Sequence, residues 1–330
     1  MTCLTTGGSA FEEMIKRRVF ITGATGFAGR HLMASLPPLE NIIYGTAYPQ
    51  PPHPNEKNIR HLDFRSERDV FEAVKSARPE WVFHLAAVSN VRQSWERKKE
   101  TMETNVMGTF FLFEAVKKFA PEARILFISS SDIYGFIPGP EGAAARPFSE
   151  DDPFQLVSPY ALSKFGGELM AGFYRRCEGL DVVIARPFPH TGPGQSPDFV
   201  CSDWARQIIR IERGSQEPVI RVGNSDVLRD FTDVRDTVRA YILLLEKGKA
   251  GDVYNVCSGR ATALREILEI LLSSATRDVR VEQDPERLRK VDIPHLVGDN
   301  RKIRAETGWE PGIPLERTLA DILDYWRVRP

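Results

Sequence analysis

The chain has 330 residues, of which 42% are hydrophobic and 27% charged, with a formal net charge of −1. This length is enough for one large domain, or a large and a small one, and the composition is that of an ordinary globular protein. The nearly balanced charge gives no electrostatic reason to expect nucleic acid or an anionic membrane as a partner. No apolar run approaches the roughly 20 residues that cross a bilayer.

Residues 1–15 are interpreted as a loose leader, because they lack the apolar core of a signal peptide. The four cysteines are scattered and have no metal-ligand spacing: Cys3, Cys177, Cys201 and Cys257. This usage is typical of reduced thiols. We therefore expect a cytoplasmic location and no metal ion.

Short apolar strands alternate with helices over the first half of the chain. The hydrophobic pattern predicts strands at Arg18–Thr22, Asn41–Thr46, Ile59–Leu62, Trp81–Ala87, Arg124–Ser129 and Asp181–Arg186. Helices are predicted at Phe27–Leu36, Val70–Ala77, Thr104–Phe119 and Tyr160–Arg176. The alternation indicates an α/β fold with a parallel sheet that is covered by helices on both faces.

The pattern changes after about Arg186, where Gly, Pro, Asp and Arg become frequent and strong elements are fewer. Helices are predicted at Ser202–Glu212, Asp236–Glu246, Leu264–Ser274 and Leu315–Arg327, with a short one at Asn300–Thr307. We expect residues 16–187 to form mainly a larger domain, and residues 188–330 a smaller α/β domain partly interleaved with it. Gly135–Pro147 is rich in Gly, Pro and Ala, which suits a flexible surface loop beside a site.

A glycine-rich turn, with Gly23, Gly26 and Gly29, joins the first predicted strand to the first predicted helix. Glycine lets the backbone turn tightly and approach a pyrophosphate, whose charge then lies at the helix N-terminus. In this strand–turn–helix context the motif predicts a dinucleotide site, and an ordinary tight turn is the alternative. The larger domain is thus expected to be a doubly wound Rossmann-type domain, and the smaller domain to bind the substrate.

The choice between NADH and NADPH stays open. The second strand runs into Tyr48 without the carboxylate that usually meets the ribose 2′-hydroxyl of NAD. Arg30, just after the glycine turn, can meet a 2′-phosphate, and it can equally be a solvated helix residue.

Tyr160 and Lys164 lie four residues apart and so share one face of a predicted helix. A lysine ammonium near a phenol lowers the phenol's pKa and prepares it for proton exchange near neutral pH. The serines 129–131 lie at the carboxyl end of the fifth strand, where the active sites of open α/β sheets are found. A solvated helix face and a polar strand end are the alternatives, but the order of the three motifs favours a catalytic site.

Together these motifs resemble the extended branch of the short-chain dehydrogenase/reductase superfamily. The resemblance implies catalytic roles for Ser130, Tyr160 and Lys164. It implies cofactor contacts for Gly23, Thr25, Gly26, Phe27, Ala28, Gly29, Arg30, Asp63, Phe64, Leu85, Ala86, Ala87, Tyr160, Lys164 and Phe188. Asp63 would meet the adenine amino group, with a strand-end cap as the alternative, and Asn105 would support the site or act as an N-cap.

The same resemblance implies a homodimer, in which the helices that start near Thr104 and Tyr160 pair across a two-fold axis. Both helices have enough apolar positions for such pairing, and simple packing on the sheet is the alternative.

Segments of the second half resemble the parts of this family that bind a nucleotide-diphosphate sugar. Substrate contacts are implied for Ser131, Asp132, Pro189, Arg221, Asn224, Arg229, Arg289 and Asp292. Arg229 and Arg289 match diphosphate-binding positions, where a planar guanidinium donates two charge-assisted hydrogen bonds. Surface salt bridges are the alternative for each, and the preference for a GDP-sugar rests wholly on the resemblance.

The implied activity is reduction of the C4 keto group of a nucleotide sugar by NAD(P)H, with GDP-4-keto-6-deoxy-D-mannose giving GDP-D-rhamnose. Asp132 stands where related 4,6-dehydratases have a glutamate, and a carboxylate one methylene shorter favours reduction over dehydration. A 4,6-dehydratase, a 4-epimerase and a non-catalytic dinucleotide sensor are the alternatives. Two departures from the family pattern, Pro189 in place of asparagine and Lys290 in place of proline, bring the sugar contact into question.

Overall fold

The computed structural model describes residues 16–136, 146–287 and 293–329. Its strands are β1 (Arg17–Thr22), β2 (Asn41–Ala47), β3 (Ile59–His61), β4 (Trp81–His84), β5 (Arg124–Ile128), β6 (Asp181–Pro187), β7 (His190–Thr191), β8 (Val219–Val222), β9 (Leu228–Arg229), β10 (Thr232–Asp233), β11 (Val253–Val256), β12 (Thr262–Ala263), β13 (Arg280–Gln283) and β14 (His295–Leu296). Its α-helices are α1 (Phe27–Ser35), α2 (Glu67–Ala77), α3 (Val91–Glu96), α4 (Lys98–Met102), α5 (Gly108–Phe119), α6 (Pro159–Cys177), α7 (Val200–Glu212), α8 (Val234–Lys247), α9 (Leu264–Ser273), α10 (Arg301–Thr307) and α11 (Leu315–Arg327). A π-helical turn at Glu103–Met107 joins α4 to α5, and short 3₁₀ turns lie at Ser131–Ile133 and Pro285–Arg287.

Seven parallel strands form the main sheet, in the order β11-β6-β5-β4-β1-β2-β3. The chain runs outward in one direction from β1 and in the other from β4, so the strand order reverses between these two neighbours. Ligands of open α/β sheets bind outside the carboxyl ends of the strands at such a reversal. The predicted Rossmann-type α/β fold is confirmed.

Helices cover both faces of this sheet. Successive strand residues point to opposite faces, so Val82 of β4 packs under α2, α5 and α6, while Phe83 packs under α1 and α8. Both side chains are fully buried. A strand that is covered on both faces must be apolar at consecutive positions, which explains the nearly continuous apolar pattern of β4.

The smaller elements of the second half build a separate hydrophobic core. Helices α7, α9 and α11 pack together around Trp204, Ile267 and Leu319. Short strands accompany them as a three-stranded sheet in the order β12-β9-β14 and as the pairs β10-β7 and β13-β8. The division of the chain into two domains stays a prediction.

The structure differs from the predicted elements in several places. Strands β7 to β14 are not predicted by the sequence pattern. One of them, β11, belongs to the main sheet, and the predicted helix α8 lies in the layer that covers this sheet. Strand β4 ends at His84, three residues earlier than predicted, and the helical segment predicted from Thr104 is preceded directly by α4 and, further back, by the unpredicted α3. The leader 1–15 and residues 137–145 of the predicted Gly135–Pro147 loop lie outside the described residues.

Within the described ranges, every helix is too short or too polar to cross a bilayer.

Candidate active site

The glycine turn packs the start of α1 closely against the end of β1. Gly23 has a φ of +68°, which favours glycine, and a Cβ on Gly29 would lie only 2.3 Å from the Gly23 carbonyl oxygen. Gly26 is the N-cap of α1 and makes no side-chain capping bond, so the first amide groups of this helix keep their donors for another partner. This cradle has the shape and the donors that a pyrophosphate requires.

Other residues with implied cofactor contacts lie in the turn and the start of α1, in the loop after β4, and after β6. Thr25, Phe27 and Ala28 are partly exposed. Leu85, Ala86 and Ala87 form the loop after β4, and a Cβ on Gly23 would approach the Cα of Ala86 to 3.1 Å. Phe188 is buried and stacks on Tyr134 with ring centroids 6.1 Å apart.

His190 of β7 also faces this region, although the sequence analysis did not single it out. Its ring stacks on Phe27, with a centroid distance of 6.0 Å and an interplanar angle of 3°. Nothing in the local sequence shows that β7 lies beside the glycine turn. The contact depends on the tertiary fold.

Just after β3, Asp63 forms a bidentate ion pair with Arg65, in which the hydrogen bonds measure 2.5–3.0 Å. The hydrogen bonds from Arg65 hold the pKa of Asp63 below its usual value. Arg65 also donates to the Tyr48 hydroxyl at 3.0 Å, and thereby brings an arginine to the end of β2, where the sequence showed none. Asp63 and Arg65 border a cavity of about 500 Å³ that Glu103 and Met107 also line.

Arg30, implied as a cofactor contact, is instead paired with Glu56 at 3.2 Å. Phe64, the other implied contact at this end of the sheet, is buried. The contacts of Arg30 with a cofactor stay a prediction.

Helix α6 carries the tyrosine and the lysine of the site. Ser158 caps its N-terminus by accepting a hydrogen bond from the Ala161 amide, and Pro159 stands in its first turn, so the sequence fixes where the helix begins. Tyr160 and Lys164 are 8% and 4% exposed, and both face the sheet. The Lys164 Nζ donates to the Ile128 carbonyl at 2.7 Å, and burial lowers the pKa of this amine to about 8.

Ser130 joins the end of β5 to this pair. Ser130 lies close enough to the Tyr160 phenol to oppose the rise of its pKa, and its Oγ accepts from the Asp132 amide at 3.1 Å. Burial, reinforced by the negative charge of Asp132, raises the pKa of Tyr160. Desolvation is the largest of these effects, so the phenol keeps its proton at neutral pH, and the predicted lowering of this pKa by Lys164 stays a prediction.

A buried polar network lies behind the site. Arg186 of β6 pairs with Glu168 of α6 at 2.8 Å and donates to the Tyr134 hydroxyl at 2.9 Å. That hydroxyl in turn donates to Asn255 of β11 at 2.7 Å. The network therefore ties the catalytic helix, the turn after β5 and the last strand of the sheet together. Ser131, implied as a substrate contact, is buried in that turn.

The remaining residues with implied substrate contacts lie in the second half of the chain. Arg221 is half-exposed and pairs with Glu217 at 2.8 Å. The Asn224 side chain accepts from the Asp226 amide at 3.1 Å. Arg229 donates to the Ile293 carbonyl at 2.7 Å.

Pro189 accepts through its carbonyl from the Thr232 amide at 3.0 Å, between β7 and β10. Arg289 and Asp292 fall outside the described residues. The substrate contacts of this whole group stay predictions.

Comparison with known proteins agrees with this geometry. The family described as GDP-mannose 4,6 dehydratase matches residues 20–322. A GDP-6-deoxy-D-mannose reductase of Pseudomonas aeruginosa is 36% identical over 313 residues, which cover 95% of this chain and 98% of the relative. A GDP-mannose 4,6-dehydratase of Vibrio cholerae is 25% identical and is matched over 94% of this chain and 93% of its own length.

Solved structures give the same result. The protein RMD from Pseudomonas aeruginosa, complexed with NADPH, superposes with a TM-score of 0.84 at 34% identity, covering 96% of this chain and all of that one. A UDP-glucose 4-epimerase of Thermotoga maritima with UDP-glucose has a TM-score of 0.81 at 26% identity, and the match covers 94% and 98% of the two chains. The predicted resemblance is thus confirmed, and the chain belongs to the GDP-mannose 4,6-dehydratase family of extended short-chain dehydrogenases/reductases.

Proposed function

We propose that this chain is an NAD(P)H-dependent reductase acting on the C4 keto group of a nucleotide sugar, with GDP-4-keto-6-deoxy-D-mannose as substrate and GDP-D-rhamnose as product. One observation carries the proposal: a buried, protonated Tyr160 lies against Ser130, with Lys164 one helical turn away, at the carboxyl end of β5. The 36% identity to a GDP-6-deoxy-D-mannose reductase supports the substrate.

The residues around the glycine turn fit a dinucleotide cofactor. Gly29 lets α1 pack directly on the backbone of Gly23 and Ala24, where a side chain would clash, and the uncapped amides of α1 provide donors for a pyrophosphate. The Asp63 carboxylate, which accepts hydrogen bonds from Arg65, would also accept one from the adenine amino group. When bound, NAD(P)H supplies the hydride for C4.

Three side chains perform the proton chemistry. Tyr160 holds the proton that the C4 oxygen needs, since burial keeps the phenol protonated. Ser130 offers a hydroxyl that orients the keto oxygen. Lys164, fixed by the Ile128 carbonyl, is mostly charged at neutral pH with its pKa of about 8, and its charge stabilises the anion that forms as Tyr160 gives up its proton.

Asp132 favours reduction over dehydration. Its amide is bound to the Ser130 Oγ, and its carboxylate accepts from the same hydroxyl at 3.4 Å, so the backbone of the 3₁₀ turn limits its reach. Elimination of water requires a carboxylate placed beside C5 and C6, and a loss of about an ångström of reach reduces such catalysis by roughly 100-fold.

The test is to mix the purified chain with NADPH or NADH and the 4-keto sugar. We expect absorbance at 340 nm to fall by one cofactor per sugar reduced, and the same keto sugar on UDP to react more slowly. Absence of any absorbance loss with both cofactors would refute the proposal. A dehydratase would instead consume GDP-mannose, and an epimerase a nucleotide hexose, without net oxidation of the cofactor.

We also propose a homodimer formed by the helices that carry the site. Exposed apolar side chains lie on α5 and α6: Phe110 is 37%, Leu162 49%, Leu169 60% and Phe173 48% exposed. Burial of such side chains in an interface contributes a free energy of roughly 25 cal/mol per Å² of apolar surface removed from water. Sedimentation should show a dimer that Leu169→Glu dissociates, whereas Leu39→Glu, at a 73% exposed leucine outside these helices, should leave it intact. A wild-type monomer at micromolar concentration would exclude the dimer.

A cytoplasmic location completes the proposal. Cys177, Cys201 and Cys257 are free thiols, which suits reducing conditions. Fractionation of cells that express the chain tests the location: the enzyme should accompany cytoplasmic markers.

A further inference from the structure

The proposed reaction leaves one buried titratable residue next to the site without a role. His84 ends β4, is 2% exposed, and lies between two threonine hydroxyls. Its Nδ1 is 2.8 Å from the Thr22 Oγ1, and its Nε2 is 2.9 Å from the Thr109 Oγ1. Thr22 directly precedes the glycine turn, and Thr109 lies in α5.

The neighbouring hydrogen bonds determine which ring nitrogen carries the proton. Thr109 donates its only hydroxyl hydrogen to the Asn105 carbonyl at 2.6 Å, so its oxygen can only accept from His84, and the Nε2 must donate. Thr22 Oγ1 accepts from the Ala86 amide at 2.9 Å. With a neutral ring, Nδ1 accepts the Thr22 hydroxyl hydrogen, and each polar hydrogen of Thr22, His84 and Thr109 has an acceptor.

Burial, together with the positive charge of Lys164, supports the neutral ring, because both lower the pKa of His84 to about 3. A protonated ring would also donate from Nδ1 and leave the Thr22 hydroxyl hydrogen without the partner described above. The geometry and the electrostatics therefore agree on one tautomer.

The hydrogen bonds continue from His84 in both directions. On one side, Thr22 holds the Ala86 amide in the loop after β4. On the other, Asn105 lies in the π-helical turn, binds the Val88 amide at 2.8 Å and donates to the Ser163 Oγ at 2.9 Å. Ser163 then donates to the Tyr160 carbonyl at 2.8 Å. One chain of bonds thus joins the cofactor loops to the catalytic helix.

We propose that His84 is a positioning residue: as the neutral Nε2–H tautomer it holds the loop at Ala86 and, through Thr109 and Asn105, the start of α6 in a fixed relation. It touches neither the reacting atoms nor the cofactor. The inference rests on the proposed function only for its effect on turnover, because the tautomer and the binding of NADPH can be measured without any substrate.

The experiment compares the full chain with His84→Leu, which removes both hydrogen bonds, and His84→Gln, which keeps one donor and one acceptor. We expect Kd for NADPH, from fluorescence titration, to rise about tenfold in His84→Leu, equivalent to about 1.4 kcal/mol. His84→Gln should restore it to within about threefold. Thr307→Val is the matched control, because Thr307 has the same buried pattern of one accepted and one donated bond at the end of α10.

The control should lose stability as His84→Leu does, yet keep the wild-type Kd. An unchanged Kd in His84→Leu, or an equal rise in Thr307→Val, would overturn the inference. If His84→Leu does not fold, Thr109→Val, which preserves the side-chain shape, takes its place: its Kd for NADPH should rise, and an unchanged Kd would overturn the inference.

Nitrogen-15 NMR of the wild-type chain gives an independent result. The His84 ring, identified by its absence in His84→Gln, should show an unprotonated Nδ1 and a protonated Nε2 from pH 6 to 8. A proton on Nδ1 would overturn the inference even if the chain reduces the sugar. A chain that never reduces the sugar but has this tautomer and this Kd pattern would refute the proposed function alone.

Discussion

Replacement of Lys164 by methionine should make the substrate-free protein more stable and inactive at the same time. The lysine is 4% exposed, and burial lowers its pKa to about 8, against 10.5 for a solvated lysine. The folded chain thus holds an ammonium group that would be better solvated in the unfolded chain. Methionine has a similar length and volume and carries no charge.

The size of the effect follows from the shift. A pKa of about 8 in place of 10.5 corresponds to a cost of about 3 kcal/mol at pH 7, where the lysine is charged in both states. The variant loses the hydrogen bond from Nζ to the Ile128 carbonyl, which is worth about 1 kcal/mol. We expect a net gain of about 2 kcal/mol in the free energy of unfolding.

The pH dependence of this gain identifies its cause. Between pH 8 and pH 10.5 the unfolded wild-type chain binds more protons than the folded one, so the stability of the wild type rises with pH. The advantage of Lys164→Met should therefore be complete at pH 7 and nearly absent at pH 10.

Urea denaturation at these two pH values measures the difference. Lys99→Met, at a lysine with an 88% exposed side chain, is the control and should change stability by at most about 0.5 kcal/mol at either pH. A variant that is less stable than the wild type at pH 7, or a gain that is equal at both pH values, would refute the reasoning.

Three further predictions concern the site and its support. Tyr160→Phe should abolish turnover but keep the Kd for NADPH; residual turnover above 1% would contradict the role of the phenol as proton donor. Glu168→Gln should cost about 3 kcal/mol in urea denaturation, because it leaves Arg186 buried and unpaired; a loss below 1 kcal/mol would mean that water reaches the guanidinium. Gly29→Ala should weaken NADPH binding and destabilise the fold by roughly 1–3 kcal/mol, because its Cβ meets backbone at 2.3 Å, whereas Gly166→Ala, with its nearest neighbour at 3.6 Å, should be neutral or stabilising by up to about 1 kcal/mol.

The parts of the fold that could be predicted are those whose cause is local. Strands β1 to β6 each lie within three residues of their predicted positions. All of them except the largely exposed β3 (Ile59–His61) contain a short apolar run that is bounded by turn residues. The boundary of α6 follows from Ser158 and Pro159, and the glycine turn needs glycine for steric reasons that a single strand–turn–helix unit contains. Because Ser130 directly follows a predicted strand and Tyr160 begins a predicted helix, sheet topology alone brings them to one edge.

The missed features depend on partners that are distant in sequence. Strand β11 has only four residues, and it is a strand because Val253 to Val256 pair with β6 about 70 residues earlier. The π-helical turn forms where Asn105 reaches the backbone of Val88, a contact that no helical period reveals. Arg65 was equally hidden, because its contact with Tyr48 requires β2 and β3 to be neighbours.

The protonation state of Tyr160 shows what the fold contributes to the site. Spacing alone predicts that the charge of Lys164 lowers the pKa of the phenol, whereas the fold also buries the phenol, and this burial raises its pKa. A protonated phenol beside a mostly protonated amine is the form that a reductase needs before hydride arrives, since the proton must still be there to give. Desolvation thus sets the resting protonation state, and the lysine charge acts only as the tyrosine becomes an anion. The buried ion pair of Glu168 and Arg186 fastens α6 to β6, and so keeps Tyr160 and Lys164 buried although desolvation of the Lys164 ammonium costs free energy.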